Sequence, residues 1–260
     1  MENKFGKLSK LHLIAARKDG RTIIEDLSFT APFKIMRPFY EKKDFMTVML
    51  LTASAGIMAG DRQEWDLLVR ENAKMEFVSQ AYEKIHRMED GWAERQVHIT
   101  VEQGGCLYYT PLPTIPFAGS DFRNILEVNL VSDTSCFIFS EVLSCGRVAH
   151  GEEFLYSRYR NLVTALQNGK IVYRDNTCYD PAQMDMRGFG IYEGYTHLAN
   201  LLICNEKKSD EWIHAARVIL DETEGMEGGV TRTGAGHIVV RILGRSGQQL
   251  TDMLDRIRAL

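Results

Sequence analysis

The chain has 260 residues, 45% of them hydrophobic and 25% charged, with a formal net charge of −4. That length and composition build a substantial core and exclude a disordered chain. The mild negative charge excludes the basic footprint of a nucleic-acid binder, though not a cation as ligand. The apolar runs are too short to cross a bilayer, and the opening "MENKFGKLSK" has no apolar segment of signal-peptide type, so a cytoplasmic protein is expected. Five cysteines (Cys106, Cys136, Cys145, Cys178 and Cys204) are scattered without C-x-x-C spacing, which fits reduced thiols.

Most of the chain alternates with a period of two. "LHLIAARKDGRTIIEDL" reads as two strands joined at Asp19-Gly20, a pair suited to a tight hairpin. "FMTVMLLTA", "EWDLLV" and "KMEFVS" follow as short strands. "TASAGIMAGDRQEW" places Gly56 and Gly60 before Asp61 but lacks the Lys-Ser/Thr of a phosphate loop. It predicts a close-approach turn between strands, able to present Asp61 to a cavity. "QAYEKIHRMEDGWAERQVHI" begins as a long polar loop. It ends in an alternating strand with Val97, Ile99 and Val101 on one face.

"CLYYT" is another strand, and "TPLPTIPFAGSDF" reads as a rigid connector. "SEVLSCGRVAHGEEF" crowds Glu141, Cys145, Arg147, His150 and Glu152 together at the end of an apolar strand. Glu141 lies inside the apolar run, so burial obliges it to be paired, hydrogen-bonded, metal-linked or protonated. The ordinary alternative is a strand ending at a turn on Gly146, with Arg147 and Glu152 as a plain ion pair. "NLVTALQNGKIVYRDNT" is a hairpin about Asn168-Gly169, and its second strand carries Asp175 facing inward.

Helical periodicity appears only late. "SDEWIHAARVILDE" aligns Trp212, Ile213, Ala216, Ile219 and Leu220, with Ser209 or Asp210 as cap. "SGQQLTDMLDRIRAL" aligns Leu250, Met253, Leu254, Ile257 and Leu260, with Ser246 as cap. Between them "HIVVRIL" reads as a strand buried on both faces. One domain over 1–260 is expected.

No H-E-x-x-H, G-x-S-x-G or Ser-His-Asp order stands out. What remains is a set of acids (Asp61, Glu141, Glu152 and Asp175) near glycine turns. Two other readings stay open. A metal-dependent hydrolase or lyase would bring His86, His98 or His150 to Asp61 or Glu141. A sugar- or peptide-binding module would line an open groove with the aromatics of "CLYYT" and "FLYSRY".

Read in order, "MRPFYEKK", "SAGIMAGD", "TPLPTIPFAGS", "SEVLSCGRVAHGEEF" and "HIVVRILGRSGQQLTDML" resemble the urease accessory protein family called UreD or UreH. The likeness runs from about Leu11 to the end. Glu41 stands where that family often has Pro. Ala55 and Ala59 stand where it often has Gly, which keeps close backbone approach and disfavours positive φ.

The resemblance implies a mainly β fold: an irregular β-helix-like stack of short strands with two C-terminal helices. It implies a non-catalytic cytosolic scaffold that works with UreF and the GTPase UreG, as a dimer of heterodimers with UreF. It docks on urease and passes Ni²⁺ through an internal route. The resemblance implies no permanently bound cofactor.

Carboxylates release a late first-row metal more readily than thiolate or imidazole does. Asp61, Glu141, Glu152 and Asp175 are therefore the expected lining of that route. Gly56, Gly60, Gly146 and Arg147 are the expected structural support. The stretch "YEGYTHLANLLIC" is richer in aromatic and apolar residues than one strand face needs; core packing is its ordinary reading, and a UreF-facing surface at Tyr192, Tyr195, His197 and Leu198 is the alternative.

Overall fold

A computed structural model of the chain describes residues 8–42, 44–206 and 208–260. The chain enters with β1 (Leu8–Lys18) and β2 (Arg21–Phe29), an antiparallel hairpin turning at Asp19-Gly20 with both residues at positive φ. That backbone is the one an Asp-Gly type I′ turn adopts. Short strands β3 (Phe33–Ile35) and β4 (Phe39–Lys42) pack antiparallel against β5 (Phe45–Thr52).

From there the chain coils between two sheets. It passes through β6 (Arg62–Val69), β7 (Lys74–Ser79), the short β8 (Glu83–Ile85), β9 (Ala93–Val101) and β10 (Cys106–Tyr109). It continues through the short β11 (Thr114–Pro116), β12 (Asp121–Leu130), β13 (Cys136–Ser144) and β14 (Arg158–Gln167). In the first sheet β1, β6, β9, β12 and β14 lie side by side and parallel. In the second, β5, β7, β10 and β13 do the same. β8 and β11 pair in parallel as a branch of the second sheet, β11 meeting β13 through Thr114 and Leu143. The polar loop and the Pro-rich connector read from sequence therefore each contribute a strand to the coil. Three residues are too few to show a period.

In-register parallel stacking puts like residues above one another. Leu11, Trp65, Val97, Leu126 and Val163 form one inward row, and Leu13, Leu67, Ile99, Val128 and Ala165 the next. All ten are buried and meet the inner face of the second sheet through Phe77, Phe137 and Phe139. Each such aliphatic side chain contributes roughly 1.5–3 kcal/mol on burial.

β15 (Lys170–Tyr179) folds back on β14 through Asn168-Gly169, again with both residues at positive φ, and closes the first sheet. The second sheet is extended antiparallel by β16 (His197–Cys204), β18 (Ile238–Gly244) and β17 (Glu227–Arg232). Helices α1 (Asp210–Asp221) and α2 (Gly247–Arg258) cover the outer face of β13, β16 and β18. Ser209 and Ser246 cap them by accepting from Trp212 N (3.2 Å) and Gln249 N (3.4 Å). Leu260 lies past the end of α2 and is exposed. β18 is not buried on both faces as its apolar run predicts. Ile238, Val240 and Ile242 pack under the helices, while Arg241 on the other face reaches solvent. The chain is thus mainly β, with two helices, as the resemblance implies. Among the described residues no helix is long and apolar enough to cross a membrane.

Candidate functional site

The inward rows of the first sheet are apolar except at one level. Two residues before Trp65, Val97, Leu126 and Val163, on the same face of the same strands, stand Gln63, Arg95, Asn124 and Asn161. Opposite them, β13 follows Phe137 and Phe139 with Glu141, and β16 places Asn200 beside it in register.

These groups join across the interior. Asn124 Nδ2 donates to Asn161 Oδ1 at 2.8 Å. Asn161 Nδ2 donates to both Glu141 oxygens at 3.0 and 2.8 Å, and Asn200 Nδ2 to one of them at 2.8 Å. Among the described residues no cation hydrogen-bonds to Glu141. Burial pushes its carboxyl up to about 7. The Asn200 hydrogen bond opposes that rise, the Asp175 charge adds to it, and Asn161 and Arg241 oppose it.

A cavity of about 130 Å³ lies against this carboxylate, walled by Trp65, Arg95, Tyr109, Asn124 and Tyr159. It reaches the surface at Ser54–Gly56 and Gln80–Lys84. Trp65 Nε1, Asn124 Oδ1 and Asn200 Oδ1 have no protein partner, so the surroundings suit water or another polar occupant.

Near the mouth, Arg95 pairs with Glu83, donates from Nε to Gln63 Oε1 at 2.8 Å, and lies 4.4 Å over the Trp65 ring. On the far side, Asn200 is in register with Arg241, which pairs with Asp175. Asp175 and Arg241 border a second cleft of about 330 Å³ with Tyr173, Gly229 and Thr231. Glu83, Arg95, Asn124, Asn161, Glu141, Asn200, Arg241 and Asp175 thus form one polar seam through a β interior.

Of the four acids singled out from sequence, the fold brings Glu141 and Asp175 into this seam and leaves two outside. Asp61 closes its own turn, accepting from Met58 N at 2.8 Å. Glu152 is clamped by Arg147 and accepts from Ala118 N at 3.2 Å; the Arg147 hydrogen bond holds its carboxyl below the ordinary range. Arg147 also lies 4.3 Å over Phe117.

Gly56 and Gly146 sit at φ 145° and 142°. A Cβ on either would come within 2.4 Å of a backbone oxygen, that of Lys84 or Glu152. Gly60 also has positive φ, and Ala55 and Ala59 do not.

The expected partner surface needs correction. Tyr192 is wholly buried, edge-on to Phe154 (4.9 Å) and Tyr179 (5.7 Å), and offers no face to a partner. Tyr195, His197 and Leu198 are half-buried, Tyr195 beneath Arg245 at 5.3 Å. His86, His150 and His197 line one surface groove without converging, whereas His98 is exposed on the outer face of the first sheet. Among the described residues no three His, Cys, Asp or Glu side chains gather as a metal site. Of the aromatics in "CLYYT" and "FLYSRY", Phe154 and Tyr156 are buried in the core, Tyr109 and Tyr159 wall the interior cavity, and Tyr108 borders a separate surface cleft, so they do not converge on one open groove.

Sequence reading missed Gln63, Arg95, Asn124 and Asn161. A signal existed: each continues the apolar face of its strand by one more step of two.

The fold and seam define a β-helix-like scaffold with a polar, carboxylate-bearing interior. The chain belongs to the UreD urease accessory protein family, whose model matches residues 7–260. It is 39% identical to urease accessory protein UreD of Acetivibrio thermocellus, over 99% of this chain and 98% of that one. It is 38% identical to UreH of Helicobacter pylori strain P12, over 98% and 95%. It is 30% identical to UreD of Flavobacterium johnsoniae, over 96% and 91%.

Proposed function

We propose that this chain serves urease maturation as a non-catalytic scaffold whose interior seam passes Ni²⁺ toward the urease active site. The observation that carries this reading is Glu141: an inward-facing carboxylate beside a cavity, held by amide donors among the described residues. A route must admit an ion and let it go. Carboxylate, amide oxygen and water hold Ni²⁺ loosely, and the seam offers those groups and no thiolate or imidazole. Ni²⁺ is cargo here, and no resident cofactor is needed.

The route runs through Glu141 and Asp175. It leaves out Asp61 and Glu152, whose carboxylates are engaged in turns. Family membership supports UreF, the GTPase UreG and urease as partners, in the cytosol, with the chain and UreF forming a dimer of heterodimers. Tyr195, His197 and Leu198 remain the proposed contact with UreF.

The test is Glu141→Gln in the full maturation assembly. Urease should recover with less nickel while the assembly still forms. Full nickel content with that variant removes the route.

A further inference from the structure

The seam carries the same device at each end. At the cavity mouth Arg95 pairs with Glu83, both largely buried, with side-chain exposures of 11% and 19%. At the far cleft Arg241 pairs with Asp175, whose side chain is 15% exposed. Between them, among the described residues, the hydrogen-bond partners of Glu141 are amides. The charges along the seam thus run carboxylate, guanidinium, carboxylate, guanidinium, carboxylate.

We propose that Arg95 and Arg241 are the gates of the seam: each guanidinium occupies the carboxylate that a divalent cation would otherwise hold, and the ion passes by changing places with it. This rests on the reading that the seam conducts such an ion. A fixed guanidinium repels any cation that comes near, and the repulsion is strong where water is scarce. A dication attracts the carboxylate more strongly than a single positive charge can, so it competes where a monovalent ion does not.

The displaced arginines have somewhere to go. Arg95 keeps its bond to Gln63 and its place over the Trp65 ring after giving up Glu83. Arg241 is half exposed and swings into water. Each exchange reverses once the ion leaves, so no carboxylate at either end stays free to trap it.

The test compares Arg95→Gln and Arg241→Gln in the full-length protein, loaded with Ni²⁺ alone. Metal retained after gel filtration and its rate of loss to a chelator are measured. With its guanidinium gone, Glu83 or Asp175 becomes a standing ligand, so each variant should release Ni²⁺ roughly tenfold more slowly than wild type. The paired variants Glu83→Gln/Arg95→Gln and Asp175→Asn/Arg241→Gln should return to wild-type release. Arg241 is exposed enough that its replacement leaves folding intact, so the proposal stays testable where the Arg95 variant folds poorly. Wild-type release from both single variants overturns the gates, even where Glu141→Gln starves urease of nickel. Full urease loading with Glu141→Gln instead removes the route, so the two failures are read on different variants by different signals.

Discussion

Asn161 and Glu141 meet across the two sheets, one amide nitrogen lying 3.0 and 2.8 Å from the two oxygens of a single carboxylate. One strand of each sheet is thereby tied through a polar contact at the level where the apolar rows stop. Among the described residues the carboxylate gains neutral hydrogen-bond donors and only the through-space pull of Arg241, and burial dominates its titration.

The pH dependence follows from that balance. The Glu141 carboxyl is raised from 4.5 to about 7 in the folded chain. Between those values the native state binds the extra proton, so stability falls as pH rises through this window and levels off above it. Glu141→Gln removes the penalty. The variant should exceed wild type by about 3 kcal/mol at pH 8 and by less than about 1 kcal/mol at pH 5, measured by urea unfolding at the two pH values. Equal differences at both pH values would rule out a raised carboxyl.

Asn161→Ala should act in the opposite sense. Glu141 loses a donor that favours its charged form, so its titration moves above 7, visible in the carboxyl carbon shift by NMR. Asn124 loses its acceptor as well, and the fold should weaken by about 1–3 kcal/mol.

Gly146→Ala tests the turn after β13. The backbone is at φ 142°, and the new methyl would come within 2.4 Å of the Glu152 oxygen. A loss of about 2–3 kcal/mol is expected. At Gly169, φ 74° with no atom near, the same change should cost about 1 kcal/mol. Thermal unfolding of the pair separates collision from backbone strain. Comparable losses at both sites would remove the close approach as the cause.

Ile99→Ala should leave a hole in the inward row between Leu67 and Val128. The expected loss is about 2–5 kcal/mol, with the seam untouched. Nickel passage measured below the unfolding temperature should therefore be preserved, which distinguishes a stability lesion from a route lesion.

The sequence made the ends of elements plainer than their arrangement. Asp19-Gly20 and Asn168-Gly169 are legible because few residues accept positive φ at both turn positions. Ser209 and Ser246 are legible as caps because their hydroxyls satisfy free amides at helix starts. The coil itself was not derivable from alternation, since alternation gives faces and not partners; only the family likeness anticipated it.

Glu141 stood out as a charge in an apolar run, and Asp175 as an acid continuing an inward face. Arg95 did not, because one strand alone cannot show that Gln63, Asn124 and Asn161 stand at its own level. Tyr192 misled for a related reason. A stretch with more aromatic and apolar residues than one strand face needs fits a core and a partner surface alike, and only the fold shows Phe154 and Tyr179 closing around it.

The hairpins at the two ends of the first sheet have an effect beyond closing the fold. A stack of parallel rungs offers at each end a template on which another molecule could keep building. β2 and β15 turn back on that template and run against its direction, so the parallel in-register ladder ends at them. Deleting either hairpin arm would bare the last parallel rung, and the chain would then be open to growth into fibres.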